Sequence, residues 1–242
     1  MGYDQVQQLP DAPNYMTAQR PLRTIGTGIL LTRTLMLWSA FCLAVAVLYF
    51  ANLWTPSLIA MATGEAADGR LVGVLVSVGG IVGTLVFAAL AGRWNPRLLT
   101  AGLAIVALPV YLLFSVVYTS VAGMTVAVLV GFVTIGAMQA LYAISPYVYP
   151  AAIRGSALGF MTALGRGVSV LIPILLGYWF AAGRSPEVTF QIFGVIVAVV
   201  GLLVFALHRT YRNRTEDPEL IFVDETGTEV LRDRTDRATD KV

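Results

Sequence analysis

From Leu98 to Ile153 the chain runs 56 residues without an Asp, Glu, Lys or Arg. A helix that crosses the hydrocarbon of a bilayer needs about 20 mainly apolar residues. The run is therefore too long for one crossing and too apolar for a soluble surface. It must fold back, and the polar trio Tyr118-Thr119-Ser120 marks the turn. That gives one span near Leu98–Val117 and another near Val121–Ser145. The same reading applied elsewhere gives spans at Leu35–Ile59, Leu71–Gly92, Ala157–Phe180 and Val188–Leu207. Six spans put both termini on one side.

Composition agrees with a membrane chain. Of the 242 residues 57% are apolar and 12% charged, with a mean hydropathy of +0.76. The charged share is about half that of an ordinary soluble domain. Only nine charged residues fall between Thr34 and His208. A soluble enzyme and a nucleic-acid binder are excluded on this ground. One cysteine, Cys42, allows neither an internal disulfide nor a cysteine zinc site, and in an apolar run it reads as a small buried hydrophobe.

The arginines orient the spans. Close to the spans, the termini and the connections on their side carry nine: Arg20, Arg23, Arg33, Arg93, Arg97, Arg154, Arg209, Arg212 and Arg214. The other three connections carry Arg70 and Arg184. Cytoplasmic loops concentrate Lys and Arg, so both termini are expected in the cytoplasm and the chain in the cell membrane as a multi-pass protein. Nothing at the N-terminus resembles a signal peptide. Three regions follow: a flexible cytoplasmic segment at 1–33, a transmembrane domain at 34–208 and a charged cytoplasmic tail at 209–242. In the tail, Ile221-Phe222-Val223-Asp224 and Thr228-Glu229-Val230-Leu231 flank Glu225-Thr226-Gly227. That pattern suits a small hairpin, but a lone hairpin is marginal in water, so disorder stands beside it.

Small residues mark helix contacts. Gly73, Ser77, Gly80 and Thr84 fall on one face of the second span, with Gly79 and Gly83 beside them. Such spacing lets helix backbones approach closely. Gly155-Ser156-Ala157-Leu158-Gly159 repeats it at the entrance to the fifth span. Pro56, Pro109 and Pro173 interrupt spans one, three and five, where proline frees a carbonyl and bends the helix.

Catalytic chemistry has no footing. The single histidine, His208, sits at the end of the last span and reads as an interface marker. No acid lies inside a span, so neither a carboxylate pair nor an intramembrane proton relay can be assembled. No phosphate-binding glycine loop is present, and no cofactor or metal is implied. Arg166 stands apart. It lies nine residues into the fifth apolar run, roughly 13 Å at helical rise. Charge at that depth is costly and faces a bundle interior or a wet cavity. Three readings remain: an anion-binding or gating contact, an arginine held by carbonyls or headgroups, and a partner to an acid on another chain. Asn52, Trp54, Gln139, Tyr142 and Gln191 are the uncharged candidates for a cavity lining, each with a packing role as its alternative.

These residues together resemble the C-terminal half of a major facilitator superfamily transporter, near the aromatic-acid and related metabolite:proton symporters. Leu48-Tyr49-Phe50, Trp54 and Pro56 are similar to that family's seventh helix. Gly79-Gly80-Ile81-Val82-Gly83 with Gly92-Arg93-Trp94-Asn95-Pro96-Arg97 is similar to its eighth helix and loop motif. Gln139-Ala140-Leu141-Tyr142-Ala143, Tyr149-Pro150, Arg154, Gly159 and Gly165-Arg166 are similar to its tenth and eleventh helices. The resemblance covers about residues 20–208.

It implies an all-α six-helix half of that fold, a cytoplasmic gate at Arg93, Arg97 and Arg154, and transport of a small organic anion by alternating access. Substrate contacts would come from Arg166, Asn52, Trp54, Gln139 and Tyr142. A second six-helix half or a second copy would complete it. The acids that accompany the gate arginines in the family are replaced here by Gly92 and Tyr147, and Ala151 stands for a threonine. Charge-based gating is therefore in question. The alternative function is a non-transporting truncated or relic half, or an assembly partner in the membrane.

Overall fold

The computed structural model describes residues 28–149, 151–212, 221–223 and 229–231. The lead-in expected at residues 1–27 lies outside them, as does the tail beyond Arg212 apart from two short strands. Those strands, β1 (Ile221–Val223) and β2 (Glu229–Leu231), pair antiparallel with Phe222 opposite Val230. The hairpin pattern of the sequence thus appears as a strand pair.

The helices are α1 (Gly28–Tyr49), α2 (Thr55–Thr63), α3 (Ala66–Ala91), α4 (Pro96–Val117), α5 (Val121–Ile144), α6 (Ala151–Ala181) and α7 (Pro186–Arg212). A π-helical turn, Phe50–Trp54, joins α1 to α2, so the two form one bent span. A 3-10 turn, Ser145–Val148, follows α5. Six segments are long and apolar enough to cross a membrane. Most run past the apolar stretches that mark them, because residues at headgroup depth continue the helix.

Local chemistry sets the ends. Asn95 caps α4 by accepting from the Arg97 N–H at 3.0 Å, and Pro96 follows at the first helical position, where its missing N–H costs nothing. Ser120 caps α5 through the Gly123 N–H. Gly64 ends α2 at φ +75°, a conformation that disfavours any residue with a Cβ. Pro56 sits in the first turn of α2, after the π turn. Pro109 and Pro173 lie inside α4 and α6, which continue through them.

Two tight pairs, α3 with α5 and α4 with α7, carry the most extensive packing, and α1 lies against α5, α6 and α7. A Cβ at Gly79 would collide with the Val128 carbonyl, and one at Gly83 with the Phe132 carbonyl. Gly131 on α5 approaches the Val76 backbone in the same way. The close approach therefore runs through Gly79, Gly80 and Gly83. Gly73 touches only the Pro56 ring, and Ser77 is exposed. Among the described residues a Cβ at Gly155 or Gly159 would meet nothing within 4 Å, so the repeated spacing makes no close backbone contact there. On the other pair, Gly194 and Gly201 bring α7 onto Tyr111 and Ile105 of α4.

Aromatic rings join α1 to the α4–α7 pair. Phe50 stacks on Phe193 at 4.1 Å and meets Phe190 at 5.1 Å, and Phe190 meets Phe114 edge-on at 4.9 Å. Buried polar groups on these faces are satisfied across helices: the Tyr111 and Thr134 hydroxyls lie 2.8 Å apart. Offset and edge-to-face rings contribute beyond their buried area.

We expect Gly79→Val to lower the unfolding temperature in detergent or to abolish folded protein, since overpacking against backbone costs at least about 1–3 kcal/mol. Gly102→Ala, where a Cβ meets open space, should leave the temperature unchanged. Equal tolerance of both would refute the glycine contact.

Candidate functional site

The fifth span is the least enclosed. Its buried positions, Ile153, Ala157, Met161, Gly165 and Leu176, form one stripe, and α1 is the helix it chiefly meets. Gly165 is the closest point. A Cβ there would stand 2.5 Å from Cε1 of Phe41. The same Phe41 ring takes the Tyr142 ring of α5 edge-on, with centroids 5.0 Å apart and planes at 81°. Phe41 thus brings α5 and α6 to one place on α1.

Arg166 follows Gly165 by about 100° of helical rotation, which turns it off the packed stripe onto the exposed side. It stands fifteen residues from Ala151 and fifteen from Ala181, the middle of α6. Among the described residues its guanidinium has no hydrogen-bond or ion-pair partner, and Ser169 Oγ donates to its backbone carbonyl at 2.7 Å. Gln139 and Tyr142 are three residues apart on α5, hence on one face, and both are exposed. Tyr142 and Gly165, the residue before Arg166, therefore meet at Phe41, and Gln139 lies one turn before Tyr142 on α5.

Asn52 and Trp54 belong elsewhere. The Trp54 ring lies 4.9 Å from the Phe180 ring and 3.9 Å from where a Gly177 Cβ would be. Gly177 is eleven residues beyond Arg166, roughly 16 Å along the helix. Asn52 is exposed in the π turn and donates to the Leu48 carbonyl at 2.9 Å. Gln191 is exposed on α7, which has no extensive contact with α6. The five uncharged candidates and Arg166 do not form one cluster. Phe41 went unmarked in the sequence because nothing distinguishes one phenylalanine in an apolar run.

The three gate candidates meet different partners. The Arg97 guanidinium stands 3.6 Å from the centre of the Tyr211 ring. Arg154 Nε donates to the Tyr149 carbonyl at 3.4 Å. Arg93 is exposed. Arg33, whose structural role the sequence did not signal, is buried and joins the first and last helices. Its Nε and Nη2 donate to Thr210 Oγ1 and the Thr210 carbonyl at 3.2 and 3.1 Å, and it covers the Tyr211 ring at 3.8 Å.

At the opposite end Tyr118 donates to Glu187 Oε1 at 2.7 Å. Burial and the Glu187 carboxylate push its phenol up to about 12, so it remains a donor. A cavity of about 570 Å³ opens between α3 and α4, lined by Phe87, Leu90, Trp94, Asn95, Leu98 and Phe132 among others. None of the candidate substrate residues lines it.

Comparison with known proteins gives a consistent picture. The profile of the Major Facilitator Superfamily matches residues 5–173. The chain is 26% identical to the benzoate transport protein of Acinetobacter baylyi over 86% of its own length and 44% of that protein's. It is 29% identical to the 3-(3-hydroxy-phenyl)propionate transporter of Escherichia coli over 77% of its length and 46% of the relative's. For the gentisate transporter of Corynebacterium glutamicum the figures are 27%, 74% and 41%. The chain spans less than half the length of these relatives.

Proposed function

Because the chain belongs to the major facilitator superfamily, we propose that it carries a small aromatic carboxylate across the cell membrane by alternating access, together with a second six-helix body. The observation that carries this reading is Arg166: a guanidinium at the middle of a membrane helix, exposed and unpaired among the described residues, next in sequence to the Gly165 that packs on Phe41. A guanidinium binds a carboxylate through two parallel hydrogen bonds, and aromatic faces beside it suit the ring of the same ligand. Gln139, one turn from Tyr142, adds a donor and an acceptor. The relatives are named for benzoate, 3-(3-hydroxy-phenyl)propionate and gentisate, all aromatic carboxylates, which supports the substrate class.

The second body follows from the same residues. Arg166 and Gln139 facing hydrocarbon would be expensive, so the exposed surfaces that carry them are covered in the working protein. A second copy would do this about a two-fold axis along the membrane normal, since both copies insert with the same loops inside. The acids of the described helices and their connections, Glu65, Asp68 and Glu187, all lie near helix ends. The partner would then supply any coupling acid.

Arg166→Ala should weaken benzoate binding to the purified protein by at least about tenfold, as expected for loss of a charge-assisted hydrogen bond. Arg166→Lys should also impair it, because a point charge replaces a planar fork. Unchanged affinity with lowered stability in Arg166→Ala would make the residue structural and sink the proposal. In proteoliposomes the chain alone should show no proton-driven benzoate uptake; uptake by a proven monomer would overturn the need for a second body.

The orientation rests on the arginine asymmetry. In a Cys42→Ser background, an impermeant thiol reagent added outside cells should label Ser120→Cys and spare Asn95→Cys. The reverse pattern would invert the topology.

A further inference from the structure

We propose that the cavity between α3 and α4 seats one acyl chain of a phospholipid, with the lipid phosphate held by Arg93 at its mouth. The cavity has a structural cause. A short turn, residues 92–95, joins α3 to α4, yet α3 packs chiefly on α5 and α4 on α7. The two pairings draw the consecutive helices apart and leave a wedge of about 570 Å³. Phe87 is buried at its floor beside Phe132 of α5, while Val86, Leu98 and Val106 are exposed along its sides. It therefore opens sideways, toward the bilayer. Gly102 keeps it open, since a Cβ there would meet nothing within 4 Å.

The walls select hydrocarbon. Apart from Trp94 and Asn95 at one end, every lining residue is apolar, and water stays in such a space only with two or more polar partners. An empty wedge would forfeit dispersion contacts along its walls. Length selects a chain of one leaflet. Val106 lies eight residues beyond Leu98, roughly 12 Å at helical rise. Half of a ~30 Å hydrocarbon core is about 15 Å. The cavity thus runs from the turn, at headgroup level, most of the way to the midplane.

The mouth supplies the headgroup contact. Arg93 is exposed in the turn, between the lining residues Leu90 and Trp94. Among the described residues its guanidinium has no hydrogen-bond or ion-pair partner. The acids of the described helices and their connections, Glu65, Asp68 and Glu187, stand at the opposite end. A guanidinium takes a phosphate through two parallel hydrogen bonds. Trp94, 65% exposed, sets an indole at the same level, where amphipathic rings settle. The site shares no residue with the Arg166 region and stands independently of the transport reading.

The test places the intact chain in phosphatidylglycerol vesicles with a trace of phosphatidylglycerol bearing a photoreactive diazirine at the end of one acyl chain. Labelled positions are mapped by peptide mass spectrometry. Leu103 and Phe132 should be labelled at least about fivefold more than Val195 and Val199, on the exposed side of α7. Gly102→Phe, which fills the wedge, should remove the preference; Gly102→Val does the same duty if the larger ring prevents folding. Arg93→Gln should lower it, and Val195→Phe should leave it unchanged. Even labelling of the unaltered chain would overturn the proposal. So would a preference that survives filling of the wedge, or one that Val195→Phe removes equally. The same diazirine chain on a fatty alcohol should show a weaker preference. An equal one, or one indifferent to Arg93→Gln, would overturn the phosphate contact. Cross-links between two copies through Leu103 or Phe132 in place of lipid labelling would show a protein occupant and overturn the lipid.

Discussion

The contact on which most of the architecture depends is the backbone-to-backbone approach of α3 and α5 through Gly79, Gly83 and Gly131. Between helices in lipid the hydrophobic effect supplies little, because a hydrocarbon tail is as apolar as a leucine. Association must come from dispersion over many close atoms, and only residues without a side chain bring two backbones near enough. The α4–α7 pair follows the same rule through Gly194 and Gly201. With both pairs fixed, the Phe50, Phe190, Phe193 and Phe114 rings fill the space between α1, α4 and α7.

The consequence for the site lies in what these contacts leave out. α6 has only one packed stripe, and a single glycine, Gly165, brings it against Phe41. Arg166 lies off that stripe, and its guanidinium has no hydrogen-bond or ion-pair partner among the described residues. A helix held along one line can shift relative to its neighbours at low cost, as rocking around a midplane site requires. Arg166, the proposed ligand contact, lies on the least enclosed helix, which would couple ligand binding to the element most free to move.

The two ends of the bundle are electrostatically unlike. One has Arg33 and Arg97 on Tyr211, with Arg154 on the Tyr149 carbonyl. The other has the Tyr118–Glu187 hydrogen bond and the Trp179 indole donating to Thr189 at 3.0 Å. The arginine end ties the first helix to the last through Thr210 and Tyr211. It does so by hydrogen bonds and ring stacking, consistent with the loss of the acids that the family's loop motifs carry at Gly92 and Tyr147.

Much of the fold was legible in the order of residues. Charge spacing gives the six spans, since crossing hydrocarbon is a property of about 20 consecutive residues and needs no knowledge of neighbours. Tyr118-Thr119-Ser120 marks the turn between α4 and α5 because turn and cap chemistry is local. The grouping of Gly79, Gly80 and Gly83 is visible too, although Gly73, Gly155 and Gly159 carry the same small-residue mark and make no close backbone contact in the described chain. Tertiary structure alone decided which face of each helix packs. In a membrane span both faces are apolar, so periodicity does not separate the buried side from the exposed one. That is why the sequence grouped Trp54 with Arg166, which the helix rise separates, and passed over Phe41, which joins Tyr142 to Gly165. The contact between Arg33 and Thr210 spans 177 positions, and no local pattern records a pairing that only the closure of the bundle creates.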